Sequence, residues 1–152
     1  MQQAKEASRG YIGDDTARDL PVCGTAMGGS EGDFRFNGEI IEYIGRPPGL
    51  ATVKDAFAVY VVGDSMIPAY RPGDIIYVTP GRAPIQGDDV IIELKGSVGG
   101  ELGGCFLKQF VRKTDGRVSC KQHNPSKDVH FELGQIKAVH RVMRWKEVLG
   151  GL

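Results

Sequence analysis

The sequence predicts a mostly β protein of one domain, in which short, bent strands pack into a compact, partly closed sheet assembly. Three observations carry that expectation. Apolar runs rich in β-branched residues recur at Ala56 to Val62, Ile75 to Thr79 and Val90 to Leu94, the composition of buried strands. Turn residues separate them, as at Gly63-Asp64, Arg71-Pro72-Gly73-Asp74 and Gly87-Asp88-Asp89. Between Cys105 and Arg112 the chain alternates with a period of two, placing Phe106, Lys108 and Phe110 on one face and Leu107, Gln109 and Val111 on the other. The 152 residues suit a single domain with a modest core.

Taken in order, residues 1–19 are polar, mixed in charge and poor in core-forming side chains, as in a linker or frayed tail. Leu20 to Gly32 is a short apolar piece that breaks into small residues, read as a first strand and a flexible loop. Asp33 to Leu50 supplies Phe34, Phe36, Ile40, Ile41, Tyr43 and Ile44 for a strand or two. Pro47-Pro48 then excludes helix and central strand alike. The Ala56 to Val62 strand, apolar on both faces, stops at Gly63-Asp64-Ser65-Met66, and Pro68 with the Arg71 to Asp74 turn leads into Ile75 to Thr79. Pro80 to Asp89 is a turn-rich connection, and Lys95 to Gly104 is a glycine-rich hairpin loop after the Val90 to Leu94 strand. Thr114-Asp115-Gly116-Arg117 signals a hairpin whose returning strand, Val118 to Gln122, is broken by His123-Asn124-Pro125-Ser126. Ile136 to Trp145 reads as a long final strand with Val139, Arg141, Met143 and Trp145 on one face, the single tryptophan being core.

Composition excludes several functions. With 19 Lys and Arg against 19 Asp and Glu, formal charge is zero, and the cations are scattered rather than gathered into a nucleic-acid footprint. Cys23, Cys105 and Cys120 have unrelated spacings and give neither a disulfide framework nor a zinc pattern, in keeping with a reducing cytoplasm. His123, His130 and His140 match no ligand spacing, so neither metal nor cofactor is expected. No secretory signal or bilayer-length apolar run is present in the sequence, so no membrane partner is expected.

Two residues stand out chemically. Ser65 sits where a strand ends between rigid elements; Gly-Asp-Ser alone is ordinary turn chemistry, but a serine so held can also serve as a nucleophile. Lys108 lies between two aromatics in an alternating strand. On a wet face it is an edge-strand or snorkelling lysine; on a dry face desolvation disfavours the ammonium, and a neutral amine is a general base. Together Ser65 and Lys108 suggest a Ser-Lys dyad, in which the amine takes the hydroxyl proton and the alkoxide attacks a carbonyl. Backbone N–H groups of Asp64 and Ser65, freed by the turn, are the candidate oxyanion donors.

The blocks Gly63-Asp64-Ser65-Met66, Arg71-Pro72-Gly73-Asp74, Gly87-Asp88-Asp89-Val90 and Phe106-Leu107-Lys108, in that order, resemble the LexA-type self-cleaving domain of peptidase family S24. That family includes LexA, lambda-like phage repressors and the UmuD polymerase accessory protein. The likeness covers about residues 20–148. It implies a fold of the LexA/signal-peptidase-like type; the signal peptidases themselves, a second Ser-Lys class, work at a membrane and fit less well. It also implies three parts: residues 1–19 as linker, 20–32 as the segment to be cut, and 33–152 as the catalytic and dimerising domain. In the family's register the cut falls at Gly28-Gly29, with Cys23-Gly24 as the UmuD-like alternative. Small residues suit a bond whose carbonyl must come within about 3–3.5 Å of the attacking oxygen. Gly28 replaces the usual alanine, which loosens the segment and implies slow or absent cleavage. The separation of Ser65 and Lys108 is a few residues longer than the family's usual spacing. The resemblance further implies a homodimer, stimulation by the RecA filament, and DNA contact only through an N-terminal helix-turn-helix domain absent from this chain. Arg46-Pro47-Pro48 is similar to the repressor members. Three functions follow from the likeness: a repressor's self-cleaving regulatory domain, a UmuD-like polymerase accessory, or a non-cleaving oligomerisation module.

Overall fold

A computed structural model describes residues 18–25, 36–96 and 104–151. The described residues are mostly β, and among them there are two sheets and no closed barrel. The first sheet contains β1 (Leu20–Thr25), β2 (Phe36–Ile44), β3 (Phe57–Tyr60) and β4 (Ile75–Val78), in the order β2-β1-β3-β4. β1 pairs antiparallel with β2 and parallel with β3, where Val22 lies opposite Ala58. The second contains β5 (Asp89–Leu94), β6 (Cys105–Lys113), β7 (Arg117–His123), β8 (Ser126–Glu132) and β9 (Ile136–Arg141), in the order β8-β7-β6-β5-β9 and antiparallel throughout.

Strand alternation sorts the apolar residues into three clusters. Val59, Val61, Met66, Ile76 and Val78 meet Ile91, Cys105, Leu107 and Val142 between the two sheets. Leu20, Val22, Leu50 and Ala58 pack beneath the first sheet with Met143 and Val148. Val90, Ile92, Phe110, Val118, Cys120 and Phe131 form the third cluster, on the second sheet. Because adjacent residues of a strand point to opposite faces, Ile91 and Leu107 go to the first cluster while Val90 and Ile92 go to the third. Each fully buried aliphatic side chain contributes about 1.5–3 kcal/mol.

Two turns of the same construction start β4 and β5. In Arg71-Pro72-Gly73-Asp74 the Asp74 N–H donates to Arg71 O at 3.0 Å, and the Asp74 carboxylate accepts the Arg71 N–H at 2.9 Å. In Ile85-Gln86-Gly87-Asp88 the corresponding distances are 3.0 and 2.9 Å. Gly73 and Gly87 have φ of 94° and 95°, a region that side chains with a Cβ avoid. The repeated Gly-Asp signature thus marks a turn closed once by the backbone and once by the aspartate.

The chain's end departs from expectation. The final strand stops at Arg141 rather than running to Trp145, and Trp145 opens a short helix, α1 (Trp145–Val148), where it is 70% exposed instead of core. Val142 and Met143 leave the second sheet for the first: Val142 bridges Val78, and the Met143 N–H donates to Tyr77 O at 2.8 Å. Glu147 then accepts the Arg144 N–H at 2.8 Å and takes both arms of the Arg141 guanidinium at 2.9 and 2.8 Å. β8 was not predicted either. As the edge strand of its sheet it buries only Phe131, so its apolar alternation is faint.

Arg141 holds the Glu147 carboxyl down at about 2, from an ordinary 4.5. A depressed carboxylate stabilises the fold above its unfolded pKa and loses that contribution as pH falls toward its folded value. We therefore expect Glu147→Gln, which leaves the 5% exposed Arg141 side chain without its anion, to lower unfolding free energy at pH 7 by about 2 kcal/mol. Urea unfolding should show the deficit shrinking between pH 4.5 and 2. Gly49 is a second weak point, since a Cβ there would lie 1.6 Å from the Glu147 carbonyl oxygen. Gly49→Ala should displace α1 and cost about 1–3 kcal/mol, read by the same unfolding assay.

Candidate active site

Ser65 lies in the connection between β3 and β4, and three contacts fix its place. The loop is pinched at its base, where Val61 and Gly73 exchange backbone bonds with Asp74 and Val61 at 2.8 and 2.7 Å. Next to the serine, Met66 is 1% exposed and plugged into the cluster between the sheets, an anchor of about 2 kcal/mol. The turn between β7 and β8 closes from the far side: the N–H groups of His123 and Asn124 donate to Ser65 O at 3.1 and 2.8 Å, and Asn124 Nδ2 donates to Asp64 O at 3.0 Å.

Lys108 arrives from the middle of β6, opposite Val90 of β5. The face it shares with Phe106 and Phe110 is dry, and the lysine is 2% exposed. Its Nζ donates to Ser65 Oγ at 2.9 Å. The same nitrogen lies 5.6 Å from the centre of the Phe106 ring, within cation–π range, and Phe131 of β8 packs on that ring at 5.3 Å. The two residues singled out in the sequence, 43 positions apart, are therefore in hydrogen-bond contact. In such an arrangement an amine is within reach of the hydroxyl proton, the geometry that base activation of a serine requires.

Cys120, facing the same interior, does not compete for that role. Burial pushes its thiol up to about 12, against the opposing pull of the Lys108 charge, so it stays protonated and unreactive. Burial likewise raises the Cys23 thiol. Farther along the surface, Asp89 accepts the Tyr70 hydroxyl at 2.7 Å. Burial raises both groups, in Asp89 against the lowering effect of that same bond. A pocket of about 510 Å³ lined by Tyr70, Tyr77, Asp88, Asp89 and Trp145 contains neither Ser65 nor Lys108. Half-buried Ser65 is thus not at the bottom of that cavity.

The remaining predicted positions fall elsewhere. Asp64 is exposed, and its carbonyl accepts from Ile67 and Asn124. Cys23 and Gly24 lie within β1, Cys23 opposite Ile40 of β2. Gly28 and Gly29 lie outside the described residues. Among the described residues no three His, Cys, Asp or Glu side chains converge as a metal site; His130 contacts Ser119, and His140 contacts Glu93. Also among them, no helix is long and apolar enough to cross a membrane. What sequence reading missed is the turn at His123-Asn124. It looked like punctuation, and only the Asn-Pro pair hinted at a fixed turn.

Residues 23–143 match the Peptidase S24-like family model. The chain belongs to that family. It is 39% identical over 126 residues to Repressor protein C of Rhizobium phage 16-3, an overlap covering 82% of this chain and 48% of that protein. Over 35 residues it is 54% identical to the prophage repressor CohE of Escherichia coli (strain K12), covering 23% of this chain and 16% of that protein. The chain thus spans about half the length of the phage repressor it matches. Four sequence blocks, the family match and the serine–lysine contact agree on a repressor-type S24 domain.

Burial of the Lys108 amine carries a testable cost. Lys108→Met replaces a 2% exposed amine with an apolar chain of similar length, and such exchanges are neutral to stabilising. We expect its thermal midpoint to rise by about 2–4 °C, as about 1 kcal/mol does in a domain of this size, read by circular dichroism melting.

Proposed function

We propose that this chain is the C-terminal regulatory domain of a phage-type transcriptional repressor, which dimerises and cuts its own chain with a Ser65–Lys108 dyad. The observation that supports this most is the 2.9 Å bond from Lys108 Nζ to Ser65 Oγ in a chain of the Peptidase S24-like family. Repressor relatives favour this over a polymerase accessory. In the proposed reaction the neutral Lys108 amine takes the Ser65 proton, and the alkoxide attacks the Gly28 carbonyl. Backbone N–H groups of Asp64 and Ser65 receive the oxyanion. The ammonium returns the proton to the Gly29 nitrogen as the Gly28–Gly29 bond breaks, and water, activated by the same amine, then releases the acyl group. A cut at Cys23–Gly24 is the less favoured register, because that bond has to leave β1 before a serine can reach it.

By family resemblance the RecA filament promotes the cut, which separates an upstream helix-turn-helix half from the dimerising half. Operator affinity then falls because two tethered half-site contacts become independent. Gly28 favours a second reading, a non-cleaving oligomerisation module of the same fold, since glycine leaves the segment without a methyl anchor. Incubating the purified chain across a pH series separates the two. The self-cleaving reading expects fragments whose masses place the cut at Gly28–Gly29, forming faster as pH rises because only the neutral amine accepts a proton. Ser65→Ala and Lys108→Ala should each lower the rate by about 10³-fold or more. An intact chain at every pH, or a cut that survives both substitutions, rejects it.

A further inference from the structure

We propose that Asn124 is a positioning residue for this reaction: by holding the Asp64 carbonyl, its side-chain amide orients the Ser65 N–H as the oxyanion donor. The inference rests on the self-cleavage reading and deepens it. In a trans peptide the carbonyl oxygen and the amide hydrogen point in opposite directions across one rigid plane. The Asp64–Ser65 and Ser65–Met66 peptides are trans, the cis bonds of the described residues being Ile67–Pro68 and Asn124–Pro125. The 3.0 Å bond from Asn124 Nδ2 to Asp64 O draws that carbonyl toward the β7–β8 turn, which turns the Ser65 N–H to the opposite side. One plane further, the His123 and Asn124 N–H groups hold Ser65 O at 3.1 and 2.8 Å. The nucleophile therefore sits between two peptide planes pinned by one external turn.

The side-chain bond is separable from the rest. Asp64 O also accepts the Ile67 N–H at 3.2 Å, but Ile67 belongs to the same loop and moves with it. Asn124 is 60 positions away in sequence, and Gln122 Nε2 braces its turn through the Asn124 and Pro125 carbonyls at 3.3 and 3.2 Å. It gives the loop a fixed reference. Asn124 is exposed, so its bond adds little to stability. Alignment is far more sensitive, since a shift of about 1 Å at a reacting group can cost about 100-fold in rate. A positioning role and a stabilising role thus predict different magnitudes.

Asn124→Asp keeps the side-chain shape and removes the donor, while the two backbone bonds remain. Two measurements on the full chain decide the matter. In ¹H–¹⁵N spectra the Ser65 amide signal should move in N124D while amides in β9 stay in place. In the pH series the plateau rate of self-cleavage should fall about 10- to 100-fold, with the melting temperature within about 2 °C of the parent. An unchanged plateau, a loss that only tracks melting or an unmoved Ser65 amide overturns the assignment. If the parent chain does not cut itself at any pH, the self-cleavage reading fails, and the Ser65 amide alone then decides: movement supports orientation of that plane by Asn124, and no movement rejects it.

Discussion

The candidate site depends on one constraint, a buried amine brought to one hydroxyl. A lysine nitrogen in an apolar face is costly because the interior solvates charge poorly, and few arrangements offset that. Here the nitrogen has the Ser65 oxygen at 2.9 Å and the Phe106 ring face at 5.6 Å. Phe131, Val90 and Phe110 keep the surroundings apolar. Without that dry frame the amine would be hydrated, and its contact with the serine would be one exposed hydrogen bond among many.

Holding the hydroxyl in place takes contributions from both sheets. The serine loop hangs from β3 and β4, and Met66 buries itself against Ile91, Leu107 and Val142 of the second-sheet side. The β7–β8 turn meets the same loop from beyond the sheet. The chain end adds a third tie, as Val142 and Met143 cross to β4 and α1 is clamped through Glu147 to Arg141. Arg144 reaches from that end to the buried Asp88 at 2.7 Å, so the turn that starts β5 is fastened to the helix region. These ties make the register of β5 and β6, and hence the height of Lys108, a consequence of the whole fold rather than of one hairpin.

Much of this was legible in the sequence because the informative signals are local. Apolar runs between Gly-Asp turns mark β3, β4 and β5, and period-two alternation places Lys108 on the Phe106 face. Other parts lacked such signals. β8 is an edge strand with one buried residue, so nothing in its pattern distinguishes it from a polar loop. At Trp145 the β-like run of Val139 to Met143 suggested continuation, whereas the outcome was decided by carboxylate contacts from Glu147 that no periodicity encodes. The role of the Asn124 turn is likewise invisible to pattern, because its partners are 59 and 60 positions away.

The two halves of the proposed reaction are not equally prepared. Serine and lysine already touch in the isolated chain, so their assembly needs no trigger. The segment leading to the proposed cut begins in β1, which lies between β2 and β3 and is paired on both sides. Moving any bond from within that strand means breaking backbone pairs, each worth about 0.5–1.5 kcal/mol net. Under the proposed function a cut within β1 therefore requires that strand to unpair first. That cost counts against Cys23–Gly24, which lies inside a paired strand.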